Sequence, residues 1–122
     1  MTVNPSDSAR ESGVSVDVLD EAVAVRVIGE MDLTTGPHLS RALAEALRHA
    51  SPTRPLVVDC SRLTFCDSAG LNALLIARQT AQKAGIDIRL DSPNHQIQRL
   101  LDITGTVSLF PLHAPPSNGT PT

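Results

Sequence analysis

The stretch LTFCDSAGL, residues 63–71, decides the fold of this chain. It follows an apolar, strand-like segment at 56–60 and leads into helix-forming residues that continue past Leu74. Ser68 therefore stands where a strand gives way to the first turn of a helix. Backbone N–H groups at that point lack intrahelical partners, and the helix dipole favours negative charge. The position suits a helix cap, or a hydroxyl whose phosphorylation changes what the surface binds.

Upstream of this stretch, the sequence predicts an antiparallel hairpin. Valines alternate with other residues over 14–18 and again over 23–27, which is the spacing of strands. A short turn at 20–21 would pair the two strands. Residues 29–33, GEMDL, are interpreted as the loop that leaves the hairpin.

Three helices are predicted from apolar residues that recur at helical spacing. They cover 37–50, 68–84 and 93–104. Gly85 is expected just beyond the end of the second helix, and Ser92 is expected to cap the third.

Further strands are predicted between and after the helices. Residues 56–58 are apolar throughout, as in a central strand covered on both faces, 86–90 alternate, and 107–110 are a candidate edge strand. The order β-β-α-β-α-β-α, with a candidate final β, predicts an α/β fold: a mixed, mainly parallel sheet packed by α-helices. Functional loops of such sheets gather at the carboxyl ends of the strands, so the loops 29–36 and 61–68 are expected to lie side by side.

The length of 122 residues indicates one domain. Residues 1–12 are polar and without periodicity, and we interpret them as a flexible arm. The domain is expected to span 13–110. Residues 111–122 hold four prolines and no charged residue, which predicts a disordered tail.

Composition argues against several functions. The net charge of −3, the pI of about 5.7 and the 2% aromatic content disfavour a nucleic-acid partner. The sequence shows neither a signal-peptide pattern nor an apolar run of membrane-span length. Cys60 and Cys66 have neither redox nor zinc spacing, and the four histidines show no ligand spacing. A cytoplasmic protein with reduced thiols, no membrane, no metal and no cofactor is expected.

Two motifs, GEMDL at 29–33 and FCDSAGL at 65–71, resemble those of the STAS-domain anti-sigma factor antagonists of bacteria. The likeness in element order covers residues 14–110. It implies a STAS-like fold and a regulator that is not an enzyme. It further implies that an anti-sigma factor, itself a serine kinase that supplies ATP and Mg²⁺, phosphorylates Ser68. The unphosphorylated form would bind the anti-sigma factor and free a sigma factor, phosphorylation would abolish binding, and a Ser/Thr phosphatase would reset the cycle.

The resemblance also assigns neighbours of Ser68 to the partner-binding site. Asp67 and Gly70 match the same motif, and Asp32 falls in the adjacent partner-facing loop. Structural explanations stay open for each of them. Ser68 or Asp67 would make a good helix cap, Gly70 would allow close packing of the helix on the sheet, and Asp32 would hydrogen-bond within its own loop.

Two positions depart from the pattern of the family. Ala69 stands where many relatives carry a second hydroxyl, and Asn72 stands where a glycine is common. Ile76 is an aliphatic residue on the polar side of its helix, so it is either a partner contact or an isolated exposed residue. The predicted partner-binding residues are Asp32, Asp67, Ser68, Ala69, Gly70, Asn72 and Ile76.

Two other functions compete with this interpretation. A serine on a strand-to-helix turn is also the position of a hydrolase nucleophile, but the Gly-x-Ser-x-Gly motif is absent and nothing in the sequence brings a histidine to Ser68. The alternative of a different class is a STAS scaffold or sensor module, in which phosphorylation of the serine regulates a signalling complex rather than a sigma factor.

Overall fold

The computed structural model of the chain describes residues 13–110 and 112–113. In this part of the chain, helices alternate with strands after an initial hairpin. The elements are β1 (Gly13–Val18), β2 (Val23–Met31), α1 (Gly36–Leu47), β3 (Leu56–Cys66), α2 (Ser68–Lys83), β4 (Ile88–Asp91), α3 (His95–Ile103), a 3-10 helix (Val107–Leu109) and β5 (Leu112–His113). The predicted order of elements and the α/β class are confirmed.

The strands form one five-stranded sheet in the order β1-β2-β3-β4-β5. β1 and β2 are antiparallel, whereas β2, β3, β4 and β5 pair in parallel, as the sequence predicted for a mixed, mainly parallel sheet. Each strand lies beside the next one along the chain, and the crossovers between parallel strands contain α1, α2 and α3. Each crossover leads to the next strand in the same direction across the sheet. Since such crossovers are right-handed, all three helices lie on the same face of the sheet.

The hydrophobic core lies between these helices and that face. Val25, Val58 and Leu90 stand level on three neighbouring strands and are fully buried in the single core cluster. The residues that follow them in the chain point to the opposite face, where Arg26 Nε lies 3.5 Å from Asp59 Oδ2 and both side chains are partly exposed. The helices cover one face of β3 only, but Val57 on the other face is 8% exposed, so the prediction that residues 56–58 are buried on both faces is confirmed.

Two strands are longer than the sequence indicated. β2 continues through the predicted loop to Met31, and β3 continues to Cys66 instead of ending near 60. The β2–β3 register shifts between Arg26 and Ile28 and again between Gly29 and Glu30. Such bulges break the alternation of buried and exposed residues, which is why the extension does not show as strand periodicity.

The C-terminal end of the fold differs from the prediction. The segment expected as an edge strand forms the 3-10 helix Val107–Leu109, and Phe110 after it is fully buried. The fifth strand is Leu112–His113, inside the segment predicted as a tail. The rest of that predicted tail and the predicted arm, 1–12, lie outside the described residues.

The ends of the helices follow local signals. Gly85, with φ of +71°, follows α2, and the amide of Ile86 donates to Ala81 O (2.8 Å), which closes the helix as predicted. The predicted cap of α3 at Ser92 is wrong, because Asn94 is the N-cap and accepts from the amide of Ile97 at 2.9 Å. No helix within the described residues has the length and apolarity needed to cross a membrane.

Candidate functional site

The start of α2 presents a serine to solvent. Ser68 is the first residue of the helix and is exposed. Its side chain makes no hydrogen bond with any residue of 13–110. Asp67 is the N-cap, and its Oδ1 accepts from the amides of Ala69 (2.8 Å) and Gly70 (3.4 Å). Capping is thus done by the aspartate, and the hydroxyl of the serine is left available.

The two loops predicted to be neighbours do lie side by side. The amide of Asp67 donates to Met31 O at 3.2 Å, which joins the end of β3 to the end of β2. A Cβ on Gly36 would lie 3.6 Å from Ala69 O, so the first turn of α1 touches the first turn of α2. The loop before α1 is therefore part of the same surface as the serine.

Asp32 is occupied by hydrogen bonds within that loop. Its Oδ1 accepts from the amides of Thr34 (2.9 Å) and Thr35 (3.1 Å). These bonds, first of all the one from the backbone of Thr35, lower the pKa of the Asp32 carboxyl from its usual value. The Thr35 hydroxyl donates to Glu30 O (2.8 Å) and accepts from the amide of Asp32 (2.8 Å), so the loop is closed by its own side chains.

Gly70 lies beneath this surface. It is buried, and a Cβ there would meet Cys66 Sγ at 2.7 Å and Met31 O at 2.9 Å. These distances leave no room for a side chain. Gly70 therefore allows the close packing of α2 on the ends of β2 and β3.

Side chains from α3 hold the end of β3 from the other side. The Gln96 amide group accepts from the amide of Cys66 (3.0 Å) and donates to Cys66 O (2.8 Å). Asn94 Nδ2 lies 3.2 Å from Leu63 O and 3.3 Å from Thr64 O. Neither side chain was predicted as part of the site, because no local pattern signals a contact across 30 residues.

An exposed, uncharged strip runs along α2 from the serine. Ser68, Asn72 and Ile76 follow one another at intervals of four residues and are all exposed, with Ile76 at 54%. A groove of apolar lining separates α1 from α2 beside Ile76. The groove is lined by Ser40, Leu43, Ala44, Leu47, Arg48, Ala73, Ile76, Ala77 and Thr80.

Two exposed apolar residues near the serine were not predicted. Leu33, in the loop before α1, is 81% exposed, and Phe65, three residues before Ser68, is 40% exposed. Large apolar residues within segments interpreted as loops were the available signal. Leu33, in the loop that shares a surface with the serine, and Ile76 give that surface an apolar character that suits contact with a protein.

Other chemistry finds little support in the described residues. Cys60 and Cys66 are buried, and burial raises the pKa of each thiol to about 12, so both are protonated and unreactive at neutral pH. Within residues 13–110, no histidine is hydrogen-bonded to Ser68. The described part of the chain also contains no group of three side chains suited to hold a metal ion.

The family model described as Mlab, STAS domain, matches residues 14–110. This chain therefore belongs to the STAS domain family, and the resemblance inferred from the two motifs is confirmed.

Relatives within this family carry names of regulators. The chain is 24% identical over 94 residues to the anti-sigma-F factor antagonist RsfA of Mycobacterium tuberculosis, a match that covers 77% of this chain and 73% of RsfA. A crystal structure of an anti-sigma factor antagonist from Mycobacterium paratuberculosis is 27% identical, with a TM-score of 0.74 and coverage of 84% of this chain and 86% of that chain. The Bacillus cell fate determinant SpoIIAA in its phosphorylated form shares the fold, with a TM-score of 0.65, 17% identity and coverage of 86% and 93%.

Proposed function

We propose that this protein is an anti-sigma factor antagonist whose binding to its partner is switched off by phosphorylation of Ser68. The observation that carries the proposal is the exposed Ser68 hydroxyl, which takes no part in capping because Asp67 caps α2. The names of its relatives support the class of partner. The protein supplies the hydroxyl and the docking surface, and it is not itself an enzyme.

The proposed docking surface surrounds the serine. Its exposed members are Leu33, Ser68, Asn72 and Ile76, with half-buried Ala69 between the two helices. Asp32, Asp67 and Gly70 belong to the same site as the residues that shape it, since they fix the loop, the cap and the helix packing. None of the ion pairs within residues 13–110 involves a residue of this surface.

The effect of phosphorylation follows from charge. A phosphate adds about −1.5 to −2 charges at neutral pH beside the Asp67 carboxylate. The helix N-terminus stabilises an anion by about 0.3–1 kcal/mol, so the fold tolerates the modification. A partner surface that fits a neutral hydroxyl would have to desolvate the new charge without a counter-ion, at a cost of several kcal/mol. Since about 1.4 kcal/mol is tenfold in affinity, this cost is enough to abolish binding.

The proposed partner is an anti-sigma factor that is also a serine kinase. Phosphoryl transfer needs positive charge and Mg²⁺ around the phosphates of ATP, and none of the residues assigned to this site is a lysine or an arginine. The kinase would therefore bring ATP and Mg²⁺. A Ser/Thr phosphatase would return the protein to its binding form.

The test compares Ser68→Asp and Ser68→Ala with wild type for binding to candidate anti-sigma factors by calorimetry. We expect Ser68→Asp to lose at least about a hundredfold in affinity, equivalent to some 3 kcal/mol, with a thermal midpoint close to wild type. Ser68→Ala should keep binding and should accept no phosphate when incubated with the kinase and ATP, as read by mass spectrometry of the peptide that contains residue 68. Ser15→Asp, on the exposed face of β1, is the matched control and should bind normally.

Two outcomes would contradict the proposal. A large fall in the thermal midpoint of Ser68→Asp would assign Ser68 a structural role. Capture of a multi-protein signalling complex without an anti-sigma factor would favour the scaffold or sensor module instead.

A further inference from the structure

The outer half of β3 lacks a neighbouring strand on one side. β3 pairs with β4 only over Leu56–Asp59, whereas its pairing with β2 continues to Cys66. Main-chain N–H and C=O groups on the β4 side of this extension need other partners. The extension ends at Cys66, one residue before the cap of α2. How firmly the extension is held in place therefore determines how precisely Ser68 is positioned.

The N-terminal side chains of α3 take the place of the missing strand. Gln96 makes the two hydrogen bonds with Cys66, at 3.0 and 2.8 Å, that a paired strand residue would make. Asn94 caps α3 through its Oδ1 and reaches Leu63 O with its Nδ2 at 3.2 Å. Burial of Ile97, at 1% exposure, fixes α3 on the core, so the amide group of Gln96 is presented from a rigid element.

We propose that Gln96 is the positioning residue of the Ser68 site. The turn that carries the serine, residues 66–70, is hydrogen-bonded on both sides. Met31 O accepts from the amide of Asp67 on the β2 side, and Gln96 pairs with Cys66 on the α3 side. Loss of the Gln96 pair leaves Cys66 without a hydrogen bond on the α3 side, where Asn94 reaches only Leu63 and Thr64, so the turn itself is hydrogen-bonded to β2 alone. The serine then occupies several positions, and a partner or kinase that needs one of them must order the turn during binding. This inference deepens the proposed function and rests on it, because the proposed function supplies the partner that binds and phosphorylates Ser68.

Three variants separate hydrogen bonding from packing. Gln96→Ala removes both hydrogen bonds and the side-chain volume. Gln96→Met keeps most of the volume and removes both hydrogen bonds, and it guards against a variant that is merely poorly packed. Gln98→Ala is the matched control, because Gln98 lies on the same helix and bonds only Pro93 O, at 2.9 Å, away from β3.

The first measurement is amide hydrogen exchange of the free protein, which needs no partner. Both Gln96 variants should accelerate exchange over residues 66–70 by about tenfold, the size expected from the loss of one or two net hydrogen bonds. Exchange in the core of α2 and throughout Gln98→Ala should stay at wild-type rates. Unchanged exchange over 66–70, or wild-type behaviour of Gln96→Met, would overturn the inference.

The second measurement is the rate of Ser68 phosphorylation by the cognate kinase. We expect kcat/KM for this protein as substrate to fall about tenfold in both Gln96 variants, with the KM for ATP unchanged. Faster exchange with an unchanged kcat/KM would overturn the positioning role. If no kinase modifies even the wild-type protein, the proposed function fails, and the exchange data alone decide whether Gln96 orders the turn.

Discussion

Gly70 sets how closely α2 approaches the sheet, and through that distance it sets the height of Ser68 above the strand ends. A Cβ at this position would lie 2.7 Å from Cys66 Sγ and 2.9 Å from Met31 O. Met31 O is a main-chain atom that cannot rotate away, so the clash with a new Cβ could be removed only by a shift of the helix. A glycine that sequence reasoning placed in a binding surface thus acts from below that surface.

We expect Gly70→Ala to lower the free energy of unfolding by about 1–3 kcal/mol, the usual cost of overpacking. Helix propensity alone would favour alanine by up to about 1 kcal/mol, so the clash decides the sign. Gly36→Ala is the matched control, because its new Cβ would meet no atom closer than 3.6 Å. Denaturant unfolding of both variants checks this expectation, and equal stability of the two would contradict it.

At the scale of elements, two adjacent residues at the start of α2 have different roles. Asp67 satisfies the amides of Ala69 and Gly70, and Ser68 faces solvent. A serine alone at this junction would cap the helix, and phosphorylation would then compete with folding. Because the aspartate caps α2, the phosphorylation of Ser68 that we propose would leave the cap of the helix in place.

Asp67→Ala should therefore cost about 0.5–2 kcal/mol of unfolding free energy, the range measured for lost caps. Asp67→Asn should stay near wild type, because asparagine caps as well as aspartate. Ser68→Ala should also stay near wild type. Thermal and denaturant unfolding of the three variants gives the comparison, and a loss in Ser68→Ala as large as that in Asp67→Ala would mean that both side chains cap the helix.

The elements also show what the sequence could and could not predict. The helical stripes and the valine alternation of β1 depend on local periodicity, and those elements were predicted correctly. The extensions of β2 and β3 were missed because bulges interrupt the alternation. The cap of α3 was misassigned to Ser92, which takes a φ of +55° in the turn before Asn94. The Gln96–Cys66 pair joins residues that are 30 positions apart, so no local sequence pattern predicts it.

At the scale of the whole molecule, the fold has one core on one face of the sheet. The helices meet the sheet there, and the end of the sheet that carries Ser68 is closed by the β2–α1 loop, the start of α2 and the start of α3. Cys60 and Cys66 lie on the core side of β3 and are each 1% exposed. The core beneath the serine must therefore open before either thiol can meet solvent.

Thiol labelling tests this arrangement for the whole molecule. Burial raises the pKa of both cysteines to about 12, from an ordinary value of 9.0, so both remain protonated near neutral pH when the protein is folded. In the unfolded chain the two thiols ionise near their ordinary pKa, whereas in the folded chain they do not. Their contribution to stability is therefore fully present below about pH 9 and is lost as the pH rises toward 12. At pH 8 we expect both thiols to react with a disulfide reagent only as fast as the molecule unfolds globally, with the same dependence on denaturant. A Cys60→Ala variant isolates Cys66, which lies directly under the serine turn. Labelling of Cys66 much faster than global unfolding would show that this end of the core opens on its own, contrary to a single cooperative unit.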